Sequence, residues 1–100
     1  MMAGEIIIGG ARAYLVEARR SDEERWTNLY QLLRKAERAL QAREPLTALA
    51  LLLEAEDIEW TLLNECEATG HAVLELCNLL GLEEHDVAEA WDAAGRRKTP

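Results

Sequence analysis

The side chains here best equipped for chemistry are carboxylates, and they fall into two spaced sets. Glu54, Glu56, Asp57 and Glu59 crowd one short segment, and Glu83, Asp86, Glu89 and Asp92 recur at every third position. Oxygen ligands of this kind hold a hard divalent cation together with waters, or they face the Lys and Arg side chains of a basic partner. A carboxylate every three residues of helix rises about 4.5 Å per step, the same order as the phosphate spacing of a nucleic-acid strand. Such a ribbon suits basic side chains that ordinarily hold phosphates. It also weakens its own helix, because like charges at this spacing cost about 0.2–0.5 kcal/mol per pair. The helix N-terminus offsets part of this by attracting Glu83 and Glu84. The first set lies in an otherwise apolar segment, where Glu56 shares a face with Glu59 and Glu54 with Asp57. A buried, unpaired carboxylate is prohibitively costly, so these four require solvent, a cation or a basic partner.

Other chemistries find no constellation. Cys66, His71, Cys77 and His85 lack the spacing of a zinc ribbon, and Cys66 and His71 point about 140° apart on a helix. No Gly-x-Ser-x-Gly elbow, no Cys/His pair at a plausible spacing and no glycine-rich phosphate loop is present. The expectation is therefore no catalytic residue, no metal and no cofactor. Trp26, Trp60 and Trp91 all fall on apolar stripes and are expected to pack in the core.

Charge is divided along the chain. Of 100 residues with a net charge of −8, the first 43 hold eight basic and six acidic side chains, whereas residues 44–95 hold thirteen acidic side chains and neither Lys nor Arg. Ordinary surfaces intersperse both signs to limit self-repulsion, so the acidic half reads as a solubility feature or as a surface for a basic partner or a divalent cation. Direct nucleic-acid binding is disfavoured, since phosphates require a net basic face. The cluster Arg34, Lys35, Arg38 reads as a solvated helix face interrupted by Glu37. No apolar run approaches the ~20 residues of a membrane helix. The acidic start Met1–Ile8 lacks a basic signal-peptide region, and the two cysteines fit a reducing compartment, so a cytoplasmic protein is expected.

The elements that must carry these residues are helices. The pattern predicts an all-α fold, one domain over 1–100 forming a single small bundle of four to five helices around a central hydrophobic helix. Residues 1–9 are expected to be irregular, with Ile6–Ile8 as a docking plug, and 96–100 a frayed basic tail. Helix one is expected over 11–20. Ser21-Asp22-Glu23-Glu24 reads as a capping box opening helix two over 22–43, whose Trp26, Leu29, Tyr30, Leu33, Ala36 and Leu40 form a core face. Pro45 suits the first turn of helix three, which is apolar on nearly every face from Leu46 to Cys66 and is therefore central. Gly70 is expected to weaken or break the run that follows, and Gly81 to cap it in the left-handed conformation. A last helix over 83–94 ends at Gly95.

Two resemblances bear on function. The stretch Glu67-Ala68-Thr69-Gly70-His71 through Leu80-Gly81-Leu82-Glu83-Glu84-His85-Asp86-Val87 resembles the closing helices of MazG-like all-α nucleotide pyrophosphohydrolases. That family carries Glu-x-x-Glu on one helix and Glu-x-x-Asp on the next, holding Mg²⁺ on a triphosphate. Glu56-Asp57-Ile58-Glu59 matches the first motif in part, Gly70 stands where the second has its aspartate, and Glu83–Asp86 has its letters one helix later. The resemblance implies a Mg²⁺-dependent hydrolase or an inactive relative.

In general character, as a small, acidic, all-helical chain, the sequence resembles the phage-encoded anti-CRISPR proteins that block type I surveillance complexes. What this implies is stoichiometric inhibition without catalysis, by occupation of a Lys/Arg-lined surface that otherwise holds target DNA. The expected partner is thus a protein complex, neither free nucleic acid nor membrane. The expected electrostatic contacts are Glu54, Glu56, Asp57, Glu59, Glu83, Asp86 and Glu89, with Tyr14, Arg19 and Tyr30 as anchors. The alternatives are the hydrolase and a structural or oligomerisation module.

Overall fold

A computed structural model describes residues 3–94 as five helices: α1 (Ala3–Ala18), α2 (Glu24–Gln41), α3 (Pro45–Leu63), α4 (Glu67–Leu80) and α5 (Glu84–Ala93). Helix α2 packs on α1 and α3, α4 packs on the same two, and α5 lies against α3. The first four therefore close a ring, and α3 has the most neighbours. Its sequence explains this position. Ala48, Leu52, Ala55, Glu59 and Leu63 form one buried stripe, while Leu49 and Leu53 form another that meets Ala90 of α5. The all-α bundle with a central hydrophobic helix is thus the observed architecture.

The expectation of an irregular 1–9 segment is corrected over residues 3–9, while residues 1–2 lie outside the described residues. Helix α1 runs from Ala3 straight through Gly9-Gly10. Two glycines cost about 2 kcal/mol of helix propensity, but full burial of Ile8 and Leu15, worth roughly 1.5–3 kcal/mol each, outweighs it. Near its start, Gly4 admits close packing: a Cβ there would stand 2.9 Å from Leu40 Cδ1 and 3.1 Å from Leu76 Cδ1. An Arg12–Glu37 ion pair at 2.5 Å ties α1 to α2.

The Ser21 capping box does not form. Glu23 is the N-cap of α2, and Ser21 Oγ instead accepts the indole N–H of the buried Trp26 at 3.3 Å. That indole would otherwise be an unsatisfied donor in the core, which costs more than an exposed cap returns. At the far end of α2, Arg43 adopts φ 61° and the Glu44 amide donates to Ala39 O at 2.8 Å, a Schellman-type turn into Pro45.

The break between α3 and α4 falls at Asn64–Cys66 rather than at Gly70, with Asn64 in the left-handed region at φ 57°. Gly70 lies inside α4, where a Cβ would stand 3.4 Å from Glu56 Oε2. Gly81 caps α4 at φ 66°, as its position implies. The expected stop at Gly95 and the tail 96–100 lie outside the described residues.

Gly10 is helical and exposed, and a Cβ added there meets nothing within 4 Å. Gly10→Ala is expected to raise stability by about 0.5–1 kcal/mol in urea denaturation. Gly4→Ala, which must displace Leu40 or Leu76, is expected to fall below Gly10→Ala by about 1 kcal/mol or more.

Candidate functional site

The two acidic sets divide, once folded, into carboxylates spent on the fold and carboxylates shown to solvent. Glu59 belongs to the first group and is fully buried. Its Oε1 accepts the Thr69 amide at 2.8 Å and the Thr69 hydroxyl at 2.6 Å, and its Oε2 accepts the Ala68 amide at 3.1 Å. These amides are the second and third of α4, whose N-cap residue Cys66 supplies no side-chain cap. Glu59 therefore caps α4 from the neighbouring helix, where free N–H groups and the dipole favour a carboxylate. It is not a partner-contact residue, contrary to expectation, because its oxygens are enclosed and satisfied.

Asp86 is likewise committed. Its Oδ2 accepts the Glu83 amide at 2.8 Å at the start of α5, where Glu83 is the N-cap. His85 stands 3.6 Å from Glu83 and 3.3 Å from Asp86. Glu56 is half-buried at the approach of α3 to Gly70.

Of the remaining acids, Asp57 and Glu89 are exposed and Glu54 is half-buried at the outer edge of α3. Glu54 and Glu89 line one groove of about 330 Å³ between α3 and α5, floored by Ala50 and Ala90. Asp57 and Trp60 follow Glu54 at three-residue steps, which places the three along one side of the helix. Asp57 is exposed, and Trp60 is 55% exposed, which corrects its assignment to the core. Trp60 lies one heptad beyond Leu53 on the stripe that meets α5, but α5 packs on Leu49 and Leu53 and leaves it uncovered. Trp26 is buried and Trp91 half-buried, as packing residues.

The anticipated anchors lie elsewhere. Tyr14 is exposed on a groove between α1 and α4. Its phenol is held above the ordinary value of 10.0, first by the charge of Glu65, then by desolvation and by Glu67 and Glu59, with Arg20 opposing. Arg19 fixes the α1–α2 loop, donating to Ser21 O at 2.8 Å and Asp22 Oδ1 at 2.7 Å. Tyr30 is half-buried with its ring centroid 6.1 Å from that of Trp26, and its enclosed hydroxyl finds no hydrogen-bond partner among the described residues. The structure does not unite Tyr14, Arg19 and Tyr30 with the acidic edge.

Among the described residues, no group of three or more His, Cys, Asp or Glu side chains is arranged to hold a metal ion. Cys66 and Cys77 are thiols, and burial followed by the charge of Asp86 pushes the Cys77 thiol up. No described helix is long and apolar enough to cross a membrane. Comparison with protein-family models, with curated proteins and with solved structures gave no match.

Glu59→Ala strands two α4 amides and the Thr69 hydroxyl, and is expected to cost about 2–4 kcal/mol in chemical denaturation. Glu59→Gln, which keeps one acceptor oxygen, should cost less. In a Tyr30→Phe background, Glu65→Gln is expected to bring the Tyr14 phenolate absorbance transition down toward pH 10.0, because the largest cause of its elevation is removed.

Proposed function

We propose that this chain is a small, non-enzymatic helical binding protein that inhibits a nucleic-acid-handling complex, in the manner of anti-CRISPR proteins, by occupying its Lys/Arg-lined DNA-binding surface. The observation that carries the reading is the outer edge of α3: a half-exposed tryptophan near the exposed Asp57 and the half-buried Glu54, in a 52-residue stretch without Lys or Arg. Aromatic side chains that are already ordered supply much of the affinity of interfaces. Opposite charge speeds encounter and fixes orientation. Glu54, Asp57 and Glu89 would meet the basic groups, and Trp60 would seat between them.

The pyrophosphohydrolase alternative has less support, since Glu59 of its acidic motif is consumed in capping α4. A triphosphate also needs its charge neutralised, and α3–α5 contain no Lys or Arg.

The test is displacement of labelled target DNA from a purified type I surveillance complex by increasing protein, read by fluorescence anisotropy at low and moderate salt. Stoichiometric loss of DNA binding that weakens as salt rises is expected. Trp60→Ala should weaken inhibition roughly tenfold or more while leaving the melting temperature nearly unchanged, and Glu54→Gln/Asp57→Asn/Glu89→Gln should slow association. DNA binding untouched by excess protein, or pyrophosphate release from nucleotides with Mg²⁺, would overturn the reading.

A further inference from the structure

On a different pair of helices from the acidic edge, the seam between α1 and α4 opens to solvent as a groove of about 810 Å³. Large apolar side chains cluster there. Ile6 is 58%, Tyr14 44% and Leu74 61% exposed, and all three line this one groove. Concentrated exposure of this kind marks an interaction site more than scattered surface apolarity does. Its floor is shallow in side chains: Gly10 is open, with Ala68 and Ala72 opposite it on α4. Ile6, Gly10 and Tyr14 stand four residues apart, so the trough spans about 12 Å of α1 with a gap at its middle turn. That spacing matches the anchors of an amphipathic helix laid into a groove.

The rim selects the charge of the occupant. Glu67 and Glu75 line the α4 side, and His71 pairs with Glu75 at 2.7 Å. Glu65 and Glu67 impose a negative field at the Tyr14 end, which shows in the raised phenol. Arg20 opposes this field at the Tyr14 end, whereas α3, α4 and α5 contribute no Lys or Arg against it. A second copy docking the same face would bring the same acids into opposition. We propose that the α1–α4 groove is a docking site for a basic amphipathic helix of a partner protein. The apolar stripe of that helix lies over Gly10 between Tyr14 and Leu74, and its Lys and Arg flanks meet Glu67 and Glu75.

The probe is a fluorescent amphipathic Leu/Lys peptide of about four helical turns, with a Leu/Glu peptide of the same pattern as its counterpart, each titrated by anisotropy. The Leu/Lys peptide is expected to bind and the Leu/Glu peptide not to. Gly10→Phe, which fills the trough, and Leu74→Ala, at an exposed position, should each weaken binding roughly tenfold or more. Glu67→Gln/Glu75→Gln should flatten the salt dependence. Equal binding of both peptides, or of neither, overturns the proposal. Binding that survives Gly10→Phe and Leu74→Ala but disappears in Glu54→Gln/Glu89→Gln assigns the peptide to the α3 edge and also overturns it. So does a dimer, seen by sedimentation, that Leu74→Ala dissolves. The peptide experiment and the DNA displacement probe different faces, so either result can fail while the other stands.

Discussion

The buried carboxylate of Glu59 is the constraint around which the α3–α4 corner is built. Helix α4 begins at Glu67 with Cys66 as its N-cap, and that residue gives its first amides no side-chain acceptor. Those amides are enclosed, and an enclosed amide without an acceptor costs more than a typical hydrogen bond contributes. Glu59 supplies the acceptors from about one turn before the end of α3, across a corner of three residues turned by Asn64. The exchange works in both directions. A carboxylate on the core stripe of α3 is tolerable only because α4 aims its N-terminal N–H groups at it.

The same principle sorts the remaining acids. A carboxylate near a helix start stabilises its own protein, and Asp86 is used in this way at α5. What remains at the α3–α5 surface is Glu54 and Glu89, which line the groove, and the exposed Asp57 near Trp60. The acids of residues 44–95 thus divide into carboxylates that serve helix starts, Glu59 and Asp86, and carboxylates that line the α3–α5 surface, and which helix ends are nearby decides the division.

The candidate site was only partly legible in the sequence. The acidic sets were visible as patterns, but face-sharing between Glu56 and Glu59 suggested a common role that the fold divides. A usable signal was present: Glu59 continues the 48, 52, 55, 63 stripe, and the following helix lacks a local cap. Trp60 misled for a different reason. Its heptad relation to Leu53 was sound, but coverage depended on how far α5 reaches along α3. Exposure of Ile6 and Leu74 along the α1–α4 seam was likewise invisible, since it depends on which neighbours the ring leaves out.

The sequence by itself determined the all-α class, the centrality of α3, the start of that helix at Pro45 and the left-handed cap at Gly81, because periodicity, proline and glycine act within a few residues. Tertiary structure decided that Gly9-Gly10 remain helical, that Ser21 serves an indole instead of a helix start, and that Glu59 is a cap and not a contact. In each case a group's best hydrogen-bond or packing partner lies on another helix or across a turn, and burial makes that partner worth more than local preference.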